Sequence, residues 1–233
     1  MAKEIKIEVN GDQKELIFRE GQALPLHELK TLTLAGSINA PGDFLDVRRE
    51  QFPIAGTHVI VNRDKGYIQV SSQDREDIGK IIIQGTLEPH PDVVRAGIND
   101  QDSSRSLNEL ASWIKMNRKL FDSKVIAMNL VAILRNFKAT VNKTLEDKND
   151  DRANYSVLRE QVVNSNIPES FDLTLPLFVG FKPVKFAVEV VIDPDDFSCA
   201  LISPDAADEI RRLKEVTLDE QIVRFDGYAV IYQ

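Results

Sequence analysis

Ile5, Ile7 and Val9 alternate with charged residues, and the alternation resumes at Leu16 and Phe18 beyond Asn10-Gly11. Period two is the spacing of a strand with one buried face, and Asn-Gly tolerates positive φ, so the chain is predicted to open on a hairpin. Pro41 in a first helical turn, followed by Phe44, Leu45, Val47 and Phe52, predicts a short helix from Pro41 to Gln51. The runs His58 to Val61 and Tyr67 to Val70 flank Arg63-Asp64-Lys65-Gly66 and predict a second hairpin. Ile78 to Leu87, with three consecutive β-branched isoleucines, adds a strand.

Farther along, the period changes to that of a helix. Ser106 with Glu109 three residues on forms a capping box, and Leu107, Leu110, Ala111 and Ile114 then share one face. Asp122 is placed to cap a second helix carrying Val125, Met128, Leu130, Ile133, Leu134 and Phe137. The short spacing between the two predicts an antiparallel pair. From Lys138 the alternation of Ala139, Val141 and Leu145 predicts a return to strand. The charged run Glu146 to Asn154 is its solvated tip and Tyr155 to Val163 its return. Phe171 to Leu175, Val184 to Ile192 and Phe197 to Ile202 continue the sheet, with Pro176 at a strand end or bulge. Ser203-Pro204 starts a helix through Ala207, Ile210 and Leu213, and Tyr228 to Tyr232 forms a terminal strand. Helices are too few to cross over between all these strands, so the fold class is α+β, a mainly antiparallel sheet with an inserted helix pair and a β-rich N-terminal part. Pro89, Pro91, Gly97 and a cluster of Asp and Ser residues mark the one boundary. It divides a β-rich region, 1–88, from an α+β domain, 106–233, by a linker at 89–105.

Composition narrows the class. Of 233 residues 42% are apolar, enough for a packed core, and the formal charge is −8. The single Cys199 cannot close an internal disulfide, which points to a reducing compartment, the cytoplasm. Met1 to Val9 shows no secretory signal. The uncharged stretch Val125 to Leu134 is half the roughly 20 residues of a bilayer span, so no membrane is expected as a partner.

Most site chemistries find no support. Neither G-x-G-x-x-G nor G-x-x-x-x-G-K-[ST] occurs, and His27, His58 and His90 are far apart with no second ligand at metal spacing. Asp147, Asn149 and Asp151 have the spacing of a calcium loop. Arg152 stands where its turn glycine is needed, however, and Leu158 where its glutamate is. Asp193, Asp195 and Asp196 around Pro194 make a turn before they make a metal site. Ser37 lacks the nucleophile elbow, and Cys199 sits in an apolar strand. No catalytic, cofactor or metal residue is therefore assigned, and no cofactor is expected.

One charge feature stands out. Between residues 115 and 143 lie Lys115, Arg118, Lys119, Lys124, Arg135, Lys138 and Lys143 against Asp122 alone. The spacing of Lys115, Arg118 and Lys119 predicts one helical face, with Trp113, Phe121 and Phe137 nearby. Such a face suits phosphate neutralisation and base stacking, and equally suits a helix C-terminus above an aromatic core.

The run Ile167-Pro168-Glu169-Ser170-Phe171-Asp172-Leu173-Thr174-Leu175-Pro176-Leu177-Phe178, followed by Gly180, resembles an uncharacterised family of phage and prophage proteins, the YfdQ-like group. The similarity covers mainly residues 106–202 and extends to element order, with Phe137 to Leu145 and Val184 to Ile192 in the places of strands. Family members often carry arginines on the strand after the glycine, whereas Ala187 to Val191 present one acid and no base. The resemblance implies a phage or prophage origin and action in the host cytoplasm. It carries no activity to transfer.

Pro176 and Pro183 bracket a loop in which Leu177, Phe178 and Phe181 either present an interaction surface at a sheet margin or fold back onto the core. The leading expectation is a non-enzymatic phage-encoded protein that binds another macromolecule or self-associates. The alternatives are an accessory nucleic-acid-binding factor of phage DNA metabolism acting on single strands, and a hydrolase with a dispersed active site.

Overall fold

The computed structural model describes residues 31–72, 79–100, 102–146, 167–193 and 198–233, the side chains of 138–146 excepted. The expected hairpin at Ile5 to Phe18, the carboxylate loop at Asp147 to Asp151 and the strand at Tyr155 to Val163 lie outside the described residues. The fold is α+β, built on two sheets.

The first sheet grows from the second predicted hairpin. β2 (His58–Asn62) and β3 (Tyr67–Ser71) pair antiparallel, and the turn closes at Gly66, whose φ of +67° suits a residue without Cβ. Its N–H donates to the Asn62 carbonyl at 2.9 Å. β4 (Ile81–Thr86) joins β3 antiparallel, and β1 (Leu32–Ser37) lies parallel outside β4. The far edge is β9 (Ala229–Tyr232), the end of the chain, parallel to β2. Val59, Val61, Ile68, Val70, Ile81 and Ile83 point to one side and are buried. On that side α1 (Ala40–Arg48) places Pro41 against Gly85 of β4.

The second sheet is antiparallel, in the order β5 (Arg105–Ser106), β8 (Ser198–Ile202), β7 (Val184–Ile192), β6 (Ser170–Leu175). Phe171, Leu173, Leu175, Phe186, Val188, Cys199 and Leu201 are buried and share one core with the interior residues of α3 (Leu107–Met116), α4 (Lys124–Glu146) and the first sheet. The capping box at Ser106 and Glu109 forms as expected, each side chain bonding the other's backbone N–H. The Asp193 N–H donates to the Ser198 carbonyl across the β7–β8 turn.

Residues 89–105 carry a short helix, α2 (Pro91–Ala96), N-capped by His90, whose Nδ1 accepts the Asp92 N–H at 3.1 Å. Arg105 donates to the carbonyls of Ala96 and Arg95 at the far end of α2 and lies 5.6 Å from the centre of the Trp113 ring. Burial lowers the Arg105 pKa from its ordinary value, opposed by the nearby Glu109 charge. Asn99 stitches this stretch to the second sheet: its side chain accepts the Ser203 N–H and donates to the Ser203 carbonyl, both at 2.8 Å. Ser203 in turn caps α5 (Pro204–Ile222) by accepting the Ala206 N–H. α5 runs back to the first sheet, where Leu218 is fully buried, Lys214 donates to the Asp64 carbonyl and Asp219 pairs with Arg63.

Four expectations are corrected. The strand expected over Ala139, Val141 and Leu145, and likewise over Phe137 to Leu145, is instead the continuation of α4 to Glu146. Phe137, Val141 and Leu145 also fall at i, i+4, i+8, so the same residues fit a helix already begun. The cap of α4 is Ser123, whose hydroxyl accepts the Ile126 N–H at 3.2 Å, and not Asp122. Val125 and Met128 are exposed, because the stripe facing the core is Ala127, Leu130, Val131 and Leu134. Lys115, Arg118 and Lys119 do not share a helical face, since α3 stops at Met116. There the Asn117 side chain donates to the Trp113 carbonyl, and Arg118 and Lys119 fall in a separate 3-10 turn.

Candidate docking groove

Alternation places Phe171, Leu173 and Leu175 of β6 in the core and leaves Asp172 and Thr174 on the other face. β6 ends its sheet: β7 occupies one edge, and among the described residues no strand lies along the other. That edge borders a groove whose second wall is α4. Ile126, Asn129, Leu130 and Ile133, spaced i, i+3, i+4, i+7, form one stripe of the helix along it. With Pro168, Ser170, Phe171, Asp172 and Asp122 they line an open cleft of about 420 Å³.

The juxtaposition of Asp122 and Asp172 owes its position to a core contact. Phe121 is buried and its ring stacks on Phe171 at 5.3 Å, so the next residue, Asp122, is carried to the edge of β6 beside Asp172. Lys185 on β7 pairs in register with Thr174 and reaches diagonally to both carboxylates, 2.5 Å from Asp122 Oδ2 and 3.0 Å from Asp172 Oδ2. Hydrogen bonds to Asp122 and then Asp172 raise the Lys185 pKa above its ordinary 10.5. The amine is thereby held protonated, a positive charge shared by the two carboxylates. Because the folded pKa is raised, the bridge contributes below the unfolded lysine value for as long as the carboxylates are ionised, and is lost as pH rises through the folded one. The expected outcome is a Lys185 Cε resonance that titrates above 10.5 in the folded chain and falls toward 10.5 in Asp122→Asn, read by carbon NMR.

None of the basic or loop residues singled out from sequence lines this groove. Lys115, Arg118, Lys119, Lys124 and Arg135 are all exposed; Lys138 and Lys143 belong to the last turns of α4, where side chains are not described. The aromatic residues near them face inward: Phe121 stacks in the core, Trp113 is half-buried under Arg105, and Phe137 packs on the core margin. Leu177 and Phe178 are interior, at 1% and 4% exposure, so they form no surface; Phe181 is half-buried and edge-on to Phe178 at 5.7 Å. The fold-back alternative describes this loop, because Pro89 bridges to Phe178 and draws it under the connector.

Cys199 is buried, His58 is exposed on β2, His90 caps α2, and His27 lies outside the described residues. Among the described residues no set of three His, Cys, Asp or Glu side chains could hold a metal ion, and no helix is long and apolar enough to cross a membrane. The groove residues missed by sequence reading are Ile126, Asn129, Asp172 and Lys185. The one sequence signal for them is the polar Asn129 inside an otherwise apolar i, i+3, i+4, i+7 stripe. Comparison with protein-family models, curated proteins and solved structures finds no match to this chain.

Proposed function

We propose that this chain is a non-enzymatic binding protein that engages another macromolecule through the groove between α4 and the outer edge of β6. The observation that supports this reading is the juxtaposition of a β6 edge that no described strand pairs with and a helix flank on which Ile126 and Ile133 are partly exposed. Ile126 is 47% exposed at the groove, an arrangement that contact with a partner would cover. A phage or prophage origin and a cytoplasmic site of action belong to the same reading, and rest on the resemblance carried by residues 167–180.

The test is photo-crosslinking in bacterial cells, with a benzophenone amino acid at Ile126 and, as control, at Val47, which is 82% exposed on α1. A discrete adduct from position 126 and none from position 47 is expected. Equal adducts from both, or none from either, would remove the groove reading. A band at twice 26.3 kDa would identify the macromolecule as a second copy.

A second reading, an accessory nucleic-acid-binding factor of phage DNA metabolism, is favoured by the exposure of Lys115, Arg118, Lys119, Lys124 and Arg135. It requires retention of single-stranded DNA that weakens steeply with salt and is lost in Arg118→Glu/Lys119→Glu.

A further inference from the structure

Building on the groove reading, we propose that the occupant is an extended peptide of a partner protein, added to β6 as a further strand and carrying a Lys or Arg beside Asp122 and Asp172. Backbone geometry sets the conformation. Among the described residues no strand pairs with the outer edge of β6, so alternate N–H and C=O groups from Ser170 to Asp172 can satisfy a strand laid against them, and the opposite wall, with Ile126, Leu130 and Ile133, receives every second side chain.

Charge sets the chemistry. Asp122 and Asp172 share the single ammonium of Lys185, and among the described residues no other cation lines the groove, so a basic side chain is favoured there and an acidic one repelled. The same two carboxylates disfavour a nucleic-acid backbone at this site.

The test uses fluorescence anisotropy on the full chain with three seven-residue probes. One alternates valine and lysine, a second alternates valine and glutamate, and a third is the lysine peptide N-methylated at alternate amides. A chain of charge −8 attracts any cation, so the decisive comparison is between the first and third probes, which have equal charge. The expected result is at least about tenfold weaker binding of the N-methylated peptide and of the glutamate peptide. In Asp122→Asn/Asp172→Asn the preference for lysine over glutamate shrinks while sensitivity to N-methylation persists. Equal binding of methylated and unmethylated probes, or an unchanged lysine preference in the double variant, would overturn the inference. An adduct from position 126 with unchanged mass would mean that the chain fills its own groove, and an adduct at twice the mass that a second copy does; either also overturns it. A heteromeric adduct from position 126 combined with indifferent peptides leaves the groove reading standing and removes only this one, whereas no adduct at all removes both.

Discussion

Replacing Phe225 by alanine is expected to destabilise the chain by about 3–5 kcal/mol, the usual loss for a phenylalanine deleted from a packed interior. Phe225 is 2% exposed in the 3-10 turn that joins α5 to β9. On either side of it the chain is anchored to the first half of the sequence. Arg224 pairs with Asp43 at 2.7 Å and Asp46 at 2.5 Å on α1, and the Tyr228 hydroxyl donates to the Phe52 carbonyl at 3.1 Å. The last turn therefore seals the first sheet, and a void there has few ways to collapse. Urea denaturation followed by circular dichroism measures the loss, and thermal melting should fall by roughly 6–20 °C. Val223→Ala, two residues away and 76% exposed, is the control and should change stability by less than about 0.5 kcal/mol. Equal effects at the two positions would mean that the C-terminal segment does not enter the core.

The second large effect is expected at Gly85. Its φ is not positive, so conformational freedom is not the reason for glycine. Space is the reason. A methyl group there would come within 2.5 Å of Pro41 Cδ, 2.7 Å of the Ser37 carbonyl oxygen and 2.8 Å of the Ile38 carbonyl oxygen. Two of those neighbours are backbone, so the turn from β1 into α1 would have to move off the sheet. Overpacking of this kind costs about 1–3 kcal/mol. The opposing gain from a less flexible unfolded chain is about 0.4–1 kcal/mol and is outweighed. Gly85→Ala should lower the urea midpoint with little change of slope, and adding Pro41→Ala should restore only part of the loss, because it relieves one contact of three. A neutral Gly85→Ala would show that α1 does not rest on β4.

These two sites illustrate what a linear reading reaches. The β2–β3 hairpin was legible because strand alternation and a glycine-closed turn sit within fifteen residues of each other. The capping box at Ser106 and the Ser203-Pro204 helix start were legible because each is completed within three residues. α4 was misread beyond Phe137 because Val141 and Leu145 satisfy period two locally and period four at longer range. His90 as the cap of α2 was missed because the surrounding prolines and acids also fit a loop. The groove was illegible for a different reason. Asp122, Asp172 and Lys185 come from three separate segments, and nothing in any of them announces the others.

The amino-acid sequence by itself determined the local elements, the α+β class and the buried faces of most strands, since each depends on side-chain spacing within one turn or one hairpin. Only the tertiary structure decided that β9 lies parallel to β2, that β1 lies parallel to β4, and that β6 is outermost among the described strands of its sheet. The physical reason is that an amphipathic segment specifies that its apolar face must be covered but not by what. The choice of cover falls to the joint packing of the whole core. The same packing brought Asp122 to Asp172, through the stacking of Phe121 on Phe171.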